Sequence, residues 1–382
     1  MRTSEHIYQR IRWDARFDPA RFVLGIEARR DAPARVPFAD FVPGGEIPWH
    51  RVVYIEADRE LVWDRRTQID RLDTSRAGRA RAPRLLDMPF FEPRHALRWD
   101  GAEWSPAVEE LHPFRAASAP EATTLRVATW NVLWDKYETE WIETERRRPL
   151  IVAALRALDA DVLALQEVEP PLHEELLSAG WVRARYAVTS GSAGSDVERF
   201  GLVVLARPAV REVGLHALGP HKAALAITVD TAAGPVVFAT THLTSDHTEG
   251  ATERRARELA ELRAGFAGRA SRVIWGGDFN DAAPDLADRV DLLDAWTLAR
   301  GDADETPTFD PETNGLAEIT SSSSVPRRLD RVFVSASLDA VRAELAGTEP
   351  ATGDGLFLSD HYGLVVDLRL IAETPCGPSS AR

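Results

Sequence analysis

Val162-Leu163-Ala164-Leu165 runs straight into Gln166-Glu167, and Val273-Ile274-Trp275 runs straight into Gly276-Gly277-Asp278-Phe279-Asn280. A short apolar run bounded by turn residues reads as a buried strand. Each of these runs ends in groups that are expensive to remove from water. The arrangement recurs along the chain. Leu125–Trp130 ends at Asn131, Val236–Thr241 ends at His242, and Leu329–Val334 contains Asp330 near its start. Ser359-Asp360-His361 precedes a last strand at Gly363–Leu368, and Gly201–Leu205 and Ala224–Val229 read as further strands. Between them, Leu150, Ile151, Ala154, Leu155 and Leu158 share one face of a helix over 145–159. Leu259, Leu262 and Phe266 mark a second helix. Mixed strands and helices over 124–371 predict one α/β domain with sheet at its centre.

The first 85 residues are of a different kind. Phe22–Ile26, Val52–Ile55 and Leu61–Trp63 alternate with charged turns and predict a small domain of short strands. Its 17 arginines outnumber its 13 acids, a formal +4, while the whole chain carries −14, which leaves −18 for the rest. Such asymmetry fits an N-terminal part that approaches a polyanion. Residues 86–123, rich in Arg, Ala and Pro, read as a linker with an Asp100-Gly101 turn between Trp99 and Trp104. Residues 372–382 read as a disordered tail holding the single cysteine, Cys376. One cysteine permits no intramolecular disulfide and argues against a zinc–thiolate site. No run is long enough to span a bilayer and the N-terminus lacks a signal-peptide core, so a cytoplasmic protein without a membrane partner is expected.

Polar groups at six strand ends in one domain suit a single reaction. Magnesium takes hard oxygen ligands, keeps several waters and needs only one or two carboxylates. Cutting a phosphate ester requires charge to neutralise the oxyanion, a base for water and donors for the phosphate. In that scheme Glu167 anchors the metal, and His361, oriented by a carboxylate, takes the proton of water. Asp278 and Asn280 hold the attacking water, while Asn131 and His242 donate to phosphate oxygens.

Thr129-Trp130-Asn131, Leu165-Gln166-Glu167, Thr241-His242-Leu243, Gly277-Asp278-Phe279-Asn280, Leu329-Asp330-Arg331-Val332-Phe333 and Ser359-Asp360-His361 together resemble the endonuclease/exonuclease/phosphatase superfamily. The resemblance implies a four-layered α/β sandwich, two central sheets with helices outside. It also implies Glu167 as the principal Mg²⁺ ligand (Mn²⁺ able to substitute) and Asp330 with His361 as the base pair. Asp278 with Asn280 would position water, Asp360 would add a metal or supporting ligand, and His242 and Asn131 would contact phosphate. Where abasic-site endonucleases typically carry an acid two residues after the motif Asn, this chain has Leu133, which looks instead like the deadenylase branch acting on RNA.

Ile11-Arg12-Trp13-Asp14, Ile47-Pro48-Trp49-His50-Arg51-Val52 and Val62-Trp63-Asp64-Arg65 resemble an RNA cyclic-group-end recognition module, a small α+β domain. Trp13, Trp49 and Trp63 would stack on unpaired bases while Arg12, Arg51 and Arg65 contact phosphates, although tryptophans also fill small cores. The expectation is an Mg²⁺-dependent phosphoesterase acting on single-stranded RNA 3′ ends, by removing a terminal or 2′,3′-cyclic phosphate or by 3′–5′ trimming. The alternatives are a small-molecule, lipid-headgroup or DNA phosphodiesterase, or an inert RNA-binding protein.

Overall fold

The computed structural model describes residues 1–28, 32–80, 84–107, 124–135, 139–189, 195–231 and 233–371. The expected tail, Cys376, and the later part of the expected linker lie outside them.

The N-terminal domain is one helix against a five-stranded antiparallel sheet, ordered Ala34–Pro37, Phe22–Ile26, Val52–Ala57, Glu60–Asp64, Ile69–Asp70. The helix, Ser4–Trp13, starts where the Thr3 hydroxyl accepts from the His6 N–H. Glu5 sits in its first turn and Arg10 and Arg12 in its last, each complementing the helix dipole. Ile7, Tyr8 and Ile11, spaced three and four apart, are buried against Phe22, Leu24, Phe38, Val52 and Trp63.

The larger domain is built on two sheets. One has eight strands, ordered Leu338–Ala346, Gly363–Leu370, Thr124–Asn131, Val162–Gln166, Val203–Ala206, Ala187–Val188, Leu97–Trp99, Trp104–Pro106. The other has seven, ordered Leu293–Asp294, Asp330–Val334, Val273–Asp278, Gly234–His242, Ala223–Thr231, Val210–Ala217, Glu92–Arg94. Alternate residues of one strand enter different cores, because both faces are covered. Val162 and Ala164 join Val127, Ile227, Phe238, Ile274 and Val332 between the sheets. Leu163 and Leu165 instead meet Ile151, Leu155, Leu172 and Leu176 of the outer helices Thr144–Leu158 and Pro170–Ser178. On the opposite side Val273 and Trp275 meet Leu259, Leu262 and Phe266 of the helix Ala251–Phe266. Helix, sheet, sheet, helix gives the four layers expected.

The expected linker needs correction over its first part. Glu92–Arg94 closes the seven-stranded sheet against Val213–Leu215, and Leu97–Trp99 and Trp104–Pro106 extend the eight-stranded sheet. Leu86 and Phe91 are fully buried in the catalytic half. The segment is therefore an integral edge of both sheets. The N-terminal domain meets that edge through the Arg12–Glu92 pair and the attraction of Arg84 for buried Asp18, beside a small water-sized cavity that Arg94 and Glu212 also line. Arg94 in turn pairs with Asp196 at 2.6 Å. Among the described residues no helix is long and apolar enough to cross a membrane.

Candidate active site

Two parallel pairings set the site. Val162–Gln166 runs parallel to Thr124–Asn131 with Gln166 opposite Asn131, and Gly234–His242 runs parallel to Val273–Asp278 with His242 opposite Asp278. The packed sheets bring these four strand ends together, and antiparallel pairing adds Asp330 opposite Asp278. Gln166 ties the sheets together, its side-chain amide donating to Thr129 Oγ1 at 3.0 Å on its own sheet and to Thr240 Oγ1 at 2.8 Å on the other. Gly277 has φ of +146°, and a Cβ there would lie 2.1 Å from the Thr241 carbonyl oxygen, so only glycine lets the strands close beneath Asp278. Leu133, Glu167 and Asn280 have φ of 59°, 58° and 50°. Three non-glycine residues in the left-handed region around one point are a concentration of strain typical of a functional centre.

Asn131 is the hub. Its amide nitrogen donates to Glu167 Oε1 and to Asp278 Oδ2, each at 3.1 Å, and its oxygen accepts from the Leu133 N–H. Glu167 also accepts from the Trp134 N–H at 2.7 Å. Asp278 accepts from the Asn280 N–H at 2.8 Å, and the Asn280 amide donates to the Leu243 carbonyl at 3.1 Å. His242 Nε2 stands 3.7 Å from Glu167 and 3.6 Å from Asp278. Across the site His361 Nδ1 lies 2.7 Å from Asp330 Oδ2, and its Nε2 faces Asp278 at 3.8 Å. Phe309 packs on the His361 ring at 5.0 Å between centroids, and the Trp130 indole donates to the His361 carbonyl. Thr308 Oγ1 receives the Leu329 and Asp330 N–H groups, which fixes the base of Asp330. Asp360 accepts from Thr320 and Ser359 hydroxyls at 2.8 and 3.2 Å.

The electrostatics show negative charge in excess. Burial raises Asp278 to about 6, with Asp330 adding to the rise. Burial and then the Asp360 charge raise Glu167, against the Trp134 and Asn131 donors. Burial pulls His361 down, but Asp330, Asp278 and Asp360 outweigh it and hold it well above the ordinary range. Burial, then Lys222 and His361, keep His242 well below its ordinary value, hence a neutral imidazole. Asp330 Oδ1 is buried with no protein partner. Oxygen donors, mutual repulsion and an orphaned carboxylate oxygen are what a hard divalent cation relieves, so the residues fit one. Ligand atoms of Asp278, Asp330 and His361 all lie within 4.8 Å of one another, close enough for a metal.

All eight residues nominated in the catalytic half, Asn131, Glu167, His242, Asp278, Asn280, Asp330, Asp360 and His361, thus converge. Those nominated in the N-terminal domain do not. Trp63 is 1% exposed and its indole donates to the Arg2 carbonyl, so its ring is core and a stacking role for it is excluded. Trp49 is half-buried against Tyr8 and Phe41. Only Trp13, 55% exposed with its indole on Gln9, presents a free face. Arg12 is paired with Glu92, Arg51 donates to the Glu27 carbonyl, and Arg65 is half-exposed. Sequence reasoning missed Trp134, whose contribution is a backbone N–H, and Thr308 and Thr320, which lie far from every motif. It also missed Lys222, whose signal was rarity: it is one of two lysines among 46 basic residues.

Residues 128–361 match the model of the endonuclease/exonuclease/phosphatase family, and the chain belongs to that family. It is a metal-dependent phosphoric ester hydrolase. Residues 1–65 match the MJ1316 RNA cyclic group end recognition domain. Among solved structures the fold is similar to D. rerio TDP2 complexed with a single-strand DNA product, at 19% identity and a TM-score of 0.53, over 65% of this chain and 100% of that one. TDP2 from C. elegans matches at 20% identity and 0.51, over 64% and 75%. An endonuclease/exonuclease/phosphatase family protein from Bacteroides thetaiotaomicron matches at 16% and 0.51, over 66% and 96%.

Proposed function

We propose that the protein is an Mg²⁺-dependent phosphoesterase acting on single-stranded RNA 3′ ends, releasing a terminal or 2′,3′-cyclic phosphate or trimming in the 3′–5′ direction. The observation that carries the reading is the junction of Glu167 and Asp278 on the single amide of Asn131, in a chain that also has an RNA cyclic group end recognition domain. Glu167 and Asp360, whose charges repel across the site, would hold the cation. When bound, the ion neutralises phosphoryl oxygens and acidifies water. Asp330 and His361, 2.7 Å apart, would work as a dyad through Asp330 Oδ2, which leaves Asp330 Oδ1 without a protein partner.

The roles within the site follow from charge. His361, kept protonated by three carboxylates, donates from Nε2 to a phosphoryl oxygen. Asp278, raised to about 6 and held by Asn131 and Asn280, accepts the proton of the attacking water near neutral pH. That redistributes the roles first expected, in which His361 took the proton and Asp278 only positioned water. Neutral His242 completes the phosphate contacts, whereas Asn131, with both amide protons given to Glu167 and Asp278, orients those carboxylates instead of taking the phosphate contact first expected of it.

The test is to incubate the full chain with Mg²⁺ and RNAs ending in hydroxyl, 3′-phosphate, 2′-phosphate or 2′,3′-cyclic phosphate, beside matched DNAs. Preference for one phosphate-ended RNA is expected. Equal action on DNA, or on small phosphodiesters alone, would replace RNA ends with the corresponding substrate.

A further inference from the structure

Lys222 lies beside the site and has no part in the scheme above. The chain meets its need for positive charge with arginine almost everywhere, and Lys222 is one of only two lysines. It sits at the tip of the hairpin between Val210–Ala217 and Ala223–Thr231, immediately before the latter strand. The hairpin is closed by Leu218 and Gly219 N–H groups donating to the Lys222 carbonyl at 2.8 and 3.2 Å. The neighbouring strand pairs Thr241 opposite Ala224, and the Thr241 hydroxyl donates to the Ala223 carbonyl. That register puts Ala223 level with His242, and Lys222 one residue beyond it.

The side chain is partly buried, and among the described residues its ammonium makes no hydrogen bond or ion pair. Its surroundings are electrically specific. Burial lowers it, while the carboxylates of Glu167, Asp278 and Glu258 favour its charge. Lys222 in turn helps keep His242 neutral. Glu258 is already engaged by the Thr244 N–H and hydroxyl. A lysine offers three rotatable donors on a compact charge, without the planar fork that would commit it to one carboxylate. An ammonium with unspent donors, within electrostatic reach of the two carboxylates at the centre of the site, is placed for an anion entering there.

We propose that Lys222 grips a non-bridging oxygen of the substrate phosphate from the His242 side and favours a terminal, dianionic phosphate over a monoanionic internal diester. The proposal rests on the phosphoesterase reading and names the phosphate form the site prefers. A point charge attracts a dianion more strongly than a monoanion, so removing it costs more for the monoester.

The experiment uses the full chain with Mg²⁺ and two small substrates, p-nitrophenyl phosphate and bis(p-nitrophenyl) phosphate, with inorganic phosphate as a binding probe. Lys222→Met should weaken inorganic phosphate binding by about tenfold or more in calorimetry, the scale of one charged hydrogen bond. It should cut kcat/KM for the monoester about tenfold further than for the diester, with Tm within a degree or so of wild type. Lys222→Arg should restore much of the phosphate affinity, which a merely structural role would not produce. If the methionine variant loses its fold, Lys222→Gln carries the same expectation. Phosphate affinity within about twofold of wild type, or equal losses on both substrates, overturns the proposal. Because none of these probes is RNA, a protein inert on every RNA end but dependent on Lys222 for phosphate would sink the RNA reading alone.

Discussion

The catalytic domain gathers buried polar side chains into one site, whereas the N-terminal domain gathers its aromatic side chains into a core. In the catalytic domain every nominated residue arrives within one site. In the N-terminal domain Trp63 is core, Trp49 is mostly core, and only Trp13 faces outward. The difference lies in what burial costs. A carboxylate at the end of an apolar strand is unfavourable unless something repays its desolvation, so its presence signals a partner or an ion. An aromatic ring gains by burial alone, so a tryptophan among charges signals nothing beyond itself. Substitutions at Glu167, His361 and Trp63 separate chemistry from packing.

The largest effect is expected at Glu167. Glu167→Ala should abolish turnover and weaken Mg²⁺ binding in calorimetry. Tm should hardly change, because the carboxylate is destabilised by burial and by Asp360 in the metal-free protein. Treatment with EDTA should mimic it. Near-normal activity in this variant would remove Glu167 from the metal. Next come His361→Ala and Asp330→Asn, each lowering kcat by about 10²–10⁴. Their 2.7 Å contact makes them one unit, so the double variant should be scarcely worse than the poorer single one. Additive losses would show that Asp330 serves something other than His361, such as its orphaned oxygen Oδ1 holding the ion.

Trp63→Ala belongs to the other region and should behave oppositely. It should cost about 3–5 kcal/mol of stability in denaturant titration, with kcat per folded molecule unchanged. A stable variant with impaired RNA binding would restore the stacking role the structure denies to Trp63. Smaller again is a pH effect from Asp278. Its folded value of about 6 exceeds the ordinary 3.8, so in metal-free protein its contribution to stability is present below about pH 4 and lost as pH rises through about 6. Asp278→Asn should therefore gain on wild type, by up to about 3 kcal/mol, when both are melted in EDTA at pH 7 rather than pH 4. An unchanged difference between the two melts would show that Asp278 titrates normally.

Legibility followed the same physics. Val162–Leu165 and Val273–Trp275 were visible as strands because both faces are buried and the runs are apolar throughout. Glu92–Arg94, Leu97–Trp99 and Trp104–Pro106 were invisible because three residues cannot display an alternation and their prolines and arginines read as linker. Leu338–Ala346 escaped because it is an edge strand with exposed residues on both sides of its pattern. The site's side chains were legible, and its supports were not. The Trp134 N–H on Glu167 and the Thr308 hydroxyl beneath Asp330 are consequences of the folded path of the backbone, which no local motif records.

The smallest effect is the one that tests whether the N-terminal domain reads RNA. Deleting the domain is a poor test, because its boundary is structural. Removing Arg12, Asp18 and Asp40 would bare Glu92, Arg84 and His95 of the catalytic edge. Trp13→Ala leaves that boundary in place. The ring is 55% exposed and touches Arg12 and Gln9 rather than the core, so stability should change by no more than about 0.5 kcal/mol. If Trp13 stacks on a base, its loss removes binding that is equal in ground and transition states, which appears in KM and not in kcat. A stacked base is worth about 1–3 kcal/mol, so KM for a short RNA should rise about fivefold or more. Stacking is uncharged, and the salt dependence of RNA binding should therefore keep its slope. Arg12→Ala would be harder to interpret, because it also frees Glu92. Hydrolysis of bis(p-nitrophenyl) phosphate, which has no RNA chain to extend to the N-terminal domain, serves as the internal control and should be the same in both proteins. An unchanged KM for RNA would leave the N-terminal domain without its one exposed aromatic reader, and the specificity for RNA ends would then have to come from the catalytic site alone.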